Sequence, residues 1–311
     1  MLQRISQRFL AAIALSAAVG SLLSPAATMA APALDTSPLP STHAPFFAAS
    51  NPFQPKPAKP ASINDVPITD IFVLSPTVKA NVRALYAAGV KKGNNPAAFS
   101  ALGDSTIAGG LFLERFSDQK VKLGDFAYLQ PALIAFRDSL TRTSASIRIG
   151  LHSWTALNPV WADKKRCEPA ENGIDCELRL NKPSVMFIHL GANDTANKVF
   201  DKNMRKIVEH VMAAGVVPVL ITKAEPPDSD TRANNDSMRA IATTYNVPLI
   251  DFDKLAGTLP NYGLGEDKVH MTNFGKVDYT QPALFKNGHA MHNLTALIAL
   301  DAIWRAATTI E

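Results

Sequence analysis

Ser184-Val185-Met186-Phe187-Ile188-His189-Leu190 is an almost unbroken apolar run that stops at Gly191-Ala192-Asn193-Asp194. A strand with one wet face alternates polar and apolar residues, whereas this run offers apolar side chains to both sides, so it reads as a strand covered on both faces. Working outward, similar runs end at Ser105 (from Ser100), Ile221 (from Val216) and Asp251 (from Val247), and a shorter one spans Ser146 to Gly150. Helical spacing marks the stretches between them: Pro76 to Gly93, Tyr128 to Leu140, Val199 to Ala214 and Thr231 to Tyr245, with a closing helix from His292 to Ala307. Strand and helix alternate, which predicts an α/β fold, a parallel sheet covered by helices. In such sheets ligands bind beyond the carboxyl ends of the strands. Ser105, Gly150 and Asn193 fall at or just past such ends, so they are expected to converge.

Gly103-Asp104-Ser105 closes a buried strand on a tight turn, and a helix following it would aim free N–H groups at the serine. A hydroxyl becomes a nucleophile only beside a base, and the base needs a third group to fix its tautomer and steady its positive charge. Of seven histidines, His43 lies in a proline-rich stretch and His189 inside a core strand, while His152, His210, His289 and His292 have no acid at a useful local spacing. His270 differs, because Asp267 three residues earlier can fold back within one turn to accept its imidazole proton. Acyl transfer also needs donors for the developing oxyanion. The candidates are the Ser105 N–H, a backbone N–H at Gly150 and the Asn193 side-chain amide.

Gly103-Asp104-Ser105, Gly191-Ala192-Asn193-Asp194 and Asp267-Lys268-Val269-His270 resemble, in order and approximate spacing, the blocks of the SGNH or GDSL hydrolase superfamily over about residues 97 to 310. The resemblance implies a flavodoxin-like, three-layer αβα sandwich with about five parallel strands, with Ser105 as nucleophile, His270 as general base and then acid, and Asp267 orienting His270. Ser105, Gly150 and Asn193 would form the oxyanion hole. Two departures stand out: Thr106 replaces the family's leucine after the serine, and the glycine block has no clear signature, so Gly150 rests on its place at a strand end. The implied activity is hydrolysis of acyl or acetyl carboxylic esters through an acyl-enzyme, with no metal or organic cofactor. The ester itself, on a small molecule, a glycan or a lipid, is not named by a family of such breadth. An acyltransferase acting on envelope glycans, and a non-catalytic binding module, are the competing readings of the same fold.

Arg4 and Arg8 precede an apolar run from Phe9 to Leu23 and small residues up to Ala30, the pattern of a secretory signal peptide with cleavage expected after Ala30. Without those two arginines 29 basic residues face 27 acidic ones, so nothing argues for nucleic acid. Prolines at 32, 38, 40, 45, 52, 55, 57 and 60 make residues 31–63 an extended linker or an arm lying on the domain, open to transient association with the cell envelope. The hydrolase-like domain is expected over 64–311, and the protein in the periplasm or outside the cell. Cys167 and Cys176 are expected to close a disulfide loop in a loop-rich stretch from Leu151 to Pro183. Trp154 and Trp161 lie in that stretch, either as core or at the edge of a specificity-setting insertion.

Overall fold

The computed structural model describes residues 58–118 and 120–308. The expected signal peptide and all but the last residues of the proline-rich segment lie outside the described residues. That last part belongs to the domain: Ser62–Ile63 pairs antiparallel with Val66–Pro67, Asn64 and Asp65 turn the hairpin with positive φ, and Ile63 is buried. The boundary expected between 63 and 64 therefore falls inside a hairpin.

Five strands make the central sheet: β1 (Phe72–Val73), β2 (Asn95–Gly103), β3 (Pro183–His189), β4 (Val217–Ile221) and β5 (Leu249–Ile250), in the spatial order 1-5-4-3-2. β2 to β5 run parallel, with Leu102 beside Ile188 and Ile188 beside Leu220. β1 runs antiparallel against β5, so the expected five-stranded sheet has one reversed edge.

Alternation along the strands sorts the core into two layers. Val185, Phe187, Val217 and Val219 pack with α1 (Pro76–Lys91) and α5 (Gly288–Thr308) through Val82, Leu294 and Leu297. Met186, Ile188 and Leu220 pack with α3 (Asn197–Ala213) and α4 (Ala233–Tyr245) through Met204, Ile207 and Ile241. Burial of such side chains contributes roughly 1.5–3 kcal/mol each, which is what makes both faces of this sheet hydrophobic by necessity.

The local readings need four corrections. Residues 146–150 form no strand: Ile147 makes a single bridge to Gly103, because that segment turns away at Gly150 with φ of 74°. The stretch read as loop up to Pro183 contains α2 (Gly173–Asn181), whose first N–H groups, those of Ile174 and Asp175, are capped by Asn172 Oδ1. The helix expected over 128–140 is interrupted at Phe136, between Gln130–Ala135 and Arg137–Leu140. No helix follows Ser105 either, since Gly109 and Gly110 both take positive φ and carry the chain through a series of turns.

Candidate active site

The nucleophile candidate stands on a turn fastened from below. Asp104 is fully buried, and its Oδ1 accepts from the Thr106 N–H at 2.9 Å and the Thr106 hydroxyl at 2.7 Å. Thr106 Oγ1 lies 3.4 Å from His189 Nδ1 at the end of β3. Glycine is required at 103 by close approach: a Cβ there would fall on the Ile107 side chain and 2.9 Å from the His189 carbonyl oxygen. Threonine in place of leucine at 106 thus has a structural use, since its hydroxyl bridges the turn to the neighbouring strand. Ser105 itself is only half-buried and stays accessible at the sheet's carboxyl edge.

His270 arrives from the other end of the chain. Its Nε2 lies 3.0 Å from Ser105 Oγ, and its Nδ1 lies 2.6 Å from Asp267 Oδ2. Asp267 Oδ1 also accepts from the Val269 and His270 N–H groups, at 3.0 and 2.9 Å. These three hydrogen bonds, led by the one from the His270 side chain, hold the Asp267 carboxyl down at about 2. Asp267 is therefore ionised at neutral pH. The loop closes on itself through Gly265 N–H to His270 O at 2.8 Å and the antiparallel bridge between Leu264 and Met271.

Hydrogen bonds that local spacing does not reveal fix the Asn193 side chain and the Gly150 loop. Asn193 Nδ2 donates to the carbonyl of Leu151, the residue after Gly150, at 3.1 Å. One residue on, the buried Asp194 carboxylate accepts from Ser153 N–H at 3.1 Å and Ser153 Oγ at 2.7 Å. The Gly150 loop is thereby tied to the end of β3, while Arg148 N–H donates to Gly103 O at 3.0 Å and ties it to β2. Glu177 completes the support from α2. Fully buried, it accepts from Ser100 Oγ at 2.6 Å and Ala145 N–H at 2.7 Å and pairs with Arg142. Glu177 escaped the sequence reading because its stretch reads as loop; the Asn172-Gly173 start followed by Ile174, Glu177 and Leu178 is the helical signal that marks it.

Three further histidines crowd the buried side of the site. His189 and His292 rings lie 4.8 Å apart, and Phe112 and Phe252 pack on His292. Burial, and then neighbouring positive charges, push His292 down to about 3 and His289 to about 4, and depress His189 as well. Of the histidines, it is His270 whose ring reaches the Ser105 hydroxyl among the described residues. His210 does find an acid, Asp175 at 2.6 Å, across two helices rather than along the chain.

Cys167 and Cys176 sit with their sulfurs 2.18 Å apart, bonded to each other. With Glu171 they form the one close group of metal-capable side chains among the described residues, but Glu171 is engaged by Arg179 at 2.6 Å. Trp154 is half exposed and so is not core.

Residues 101–276, more than half of the chain, match the model of the GDSL-like lipase/acylhydrolase family. No curated protein matches the chain. Among solved structures it is similar to LAE5, an α/β hydrolase from the metagenome of Lake Arreo, Spain, with 16% identity, TM-score 0.42, and 66% of this chain and 95% of that one covered. It is also similar to the psychrotrophic esterase EstA from Pseudoalteromonas sp., with 19% identity, TM-score 0.38, and coverage of 65% and 98%. The acetylxylan esterase Axe2 from Geobacillus stearothermophilus shows 17% identity, TM-score 0.40, and coverage of 65% and 93%.

Proposed function

The chain belongs to the GDSL-like lipase/acylhydrolase family and is a serine ester hydrolase; we infer that it is an exported one, working through Ser105, His270 and Asp267. The observation that carries this reading is the unbroken line from Asp267 Oδ2 to His270 Nδ1 and from His270 Nε2 to Ser105 Oγ, at 2.6 and 3.0 Å. His270 Nε2 takes the Ser105 proton as Oγ attacks the ester carbonyl, and Asp267 steadies the imidazolium. The tetrahedral oxyanion is received by the Ser105 and Gly150 N–H groups and by the Asn193 amide, whose second hydrogen has no partner among the described residues. Collapse breaks the C–O bond and His270 protonates the departing alcohol. Water, deprotonated by His270, then attacks the acyl-enzyme, and the acid leaves as the proton returns to Ser105 Oγ.

Export is supported by Arg4, Arg8 and the apolar run ending in small residues at Ala30. The Cys167–Cys176 bond is compatible with an extracellular location. The test is release of nitrophenol from p-nitrophenyl acetate and butyrate by the wild-type and Ser105→Ala proteins. The expected loss is about 10⁴-fold or more, with the fold intact by circular dichroism. Equal rates from both proteins would sink the assignment.

A further inference from the structure

Residues 146–161 form an arm that carries Gly150, with the Leu151 carbonyl bonded to the Asn193 amide and Ser153 bonded to Asp194. At its tip Gly150 takes φ of 74°, and a Cβ placed there would meet open space. The two ends of the arm are built differently. Ala145, just before it, and Ala162, just after it, are both buried. They meet around Cys167 and Cys176, and the four side chains make one small cluster separate from the two cores of the sheet.

Both ends are held from α2. Its start lies against the first end, since a Cβ on Gly173 would come 3.3 Å from the Ala145 carbonyl oxygen. Glu177, fully buried, takes the Ala145 N–H at 2.7 Å and the Ser100 hydroxyl at 2.6 Å. Asn181 at the end of α2 donates to the same hydroxyl at 2.7 Å and to Phe99 O at 2.9 Å, so the helix is hooked onto β2, the strand that ends at the Ser105 turn. The second end is reached through Cys176, the neighbour of Glu177, by its bond to Cys167. Cys167 N–H in turn donates to the carbonyl of Asp163, next to Ala162, at 2.8 Å. Glu177 thus fixes the entry of the arm and the disulfide its exit.

We propose that the Cys167–Cys176 bond and Glu177 are positioning groups for the oxyanion arm, so that reducing the bond lowers turnover in an enzyme that stays folded. The proposal rests on the reading of Ser105 as nucleophile and of Gly150 and Asn193 as oxyanion donors. Such a donor works only from its place, and a displacement of about 1 Å can cost about 10²-fold in rate. Breaking the bond removes the covalent limit on the distance from Cys167 to α2, while both sheet cores, which do not include the four clustered residues, keep their packing. The chemistry is thiol–disulfide exchange with a dithiol. One thiolate of the dithiol attacks a cysteine sulfur and breaks the S–S bond, its second thiolate closes the reductant's own disulfide, and two electrons and two protons pass to Cys167 and Cys176, which end as thiols.

The experiment compares the purified oxidised protein, the same protein after dithiothreitol, and Cys167→Ala with Cys176→Ala, with thiols counted by a thiol-reactive dye. Rates are taken on p-nitrophenyl acetate and on its thionoester counterpart. The thionoester sulfur accepts hydrogen bonds weakly, so the ratio of the two rates reports the oxyanion donors. The oxidised protein is expected to show no free thiol. Reduction, or the double alanine change, should lower kcat on the oxygen ester at least about tenfold with KM little changed and circular dichroism intact, and should lower the rate ratio about tenfold, as Asn193→Ala does. Dithiothreitol should leave the double alanine variant unaffected. Glu177→Gln should lower the same ratio with the disulfide intact; the double alanine variant decides if Glu177→Gln does not fold. Two free thiols in the oxidised protein, an unchanged ratio once the bond is gone, or a rate loss that tracks loss of the circular dichroism signal overturns the proposal. Equal rates from wild type and Ser105→Ala overturn the esterase reading instead, whatever the reductant does. A Ser105-dependent rate indifferent to reduction and to both alanines overturns the positioning role alone.

Discussion

The two halves of the Ser105–His270 pair are held by opposite means. Ser105 sits on a turn whose flanking residues, Asp104 and Thr106, are buried and bonded to each other and whose glycine touches the neighbouring strand. His270 sits on a loop of exposed residues, Glu266 to Val269, held by Asp267 and by the short closure from Gly265. Below that loop, Thr272 fastens the chain to the start of α5, with Gly288 N–H donating to its hydroxyl at 2.8 Å. Packing positions Ser105, and local hydrogen bonds position His270. A change at the Ser105 turn should therefore be felt in stability, and a change at the His270 loop mainly in rate.

Asp267→Asn is the sharpest way to test that contrast. The amide cannot accept the imidazole proton in the same way, and the expected cost is about 10³-fold in kcat on p-nitrophenyl acetate, with the melting temperature unchanged. A large drop in melting temperature would show that the loop is part of the cooperative core. Asn193→Ala removes both an amide donor and the tether to Leu151. Its expected effect is about 10²-fold in kcat, measured at saturating ester. A pure KM effect would instead make Asn193 a substrate contact.

Thr106→Val tests the other half. It keeps the volume but removes the hydroxyl that serves Asp104, leaving a buried carboxylate with fewer partners beside an Oδ2 that already has none. The expected destabilisation is about 1–3 kcal/mol in urea unfolding, with activity lowered less than in Asp267→Asn. The smallest effect, and the one confined to pH, concerns the buried histidines. His292 titrates near 3 in the folded chain and near 6.5 when unfolded, so its neutral form is common to both states above pH 6.5. As pH falls below 6.5 the unfolded state takes up the proton first, and stability declines until the folded value is reached. Each such group adds about 1.4 kcal/mol per pH unit to that slope. His292→Leu should flatten the decline of unfolding free energy between pH 6.5 and 5 by about that amount; an unchanged slope would mean that His292 is not the group being titrated.

Burial on two faces writes itself into a strand as an unbroken apolar run, which is why β3, β4 and the end of β2 were legible residue by residue. Asp267 and His270 were legible for the same kind of reason, since their pairing needs only three residues of chain. The reversed edge strand β1 was not, because it is decided by a partner distant in sequence. Phe72–Val73 is too short to show a period and becomes a strand only against Leu249–Ile250. Gly150 shows how such a partner enters: the strand expected there is a single bridge, yet the loop still reaches Asn193 through Leu151. What the sequence by itself determined is the layered α/β fold and the pairing of Asp267 with His270, because hydrophobic period and short-range hydrogen bonding are properties of neighbouring residues. Only the tertiary structure decided that Ser105 meets His270 across 165 positions and that Asp194 fastens the Ser153 turn. Such encounters depend on the packing of the whole sheet and leave no mark in any one stretch.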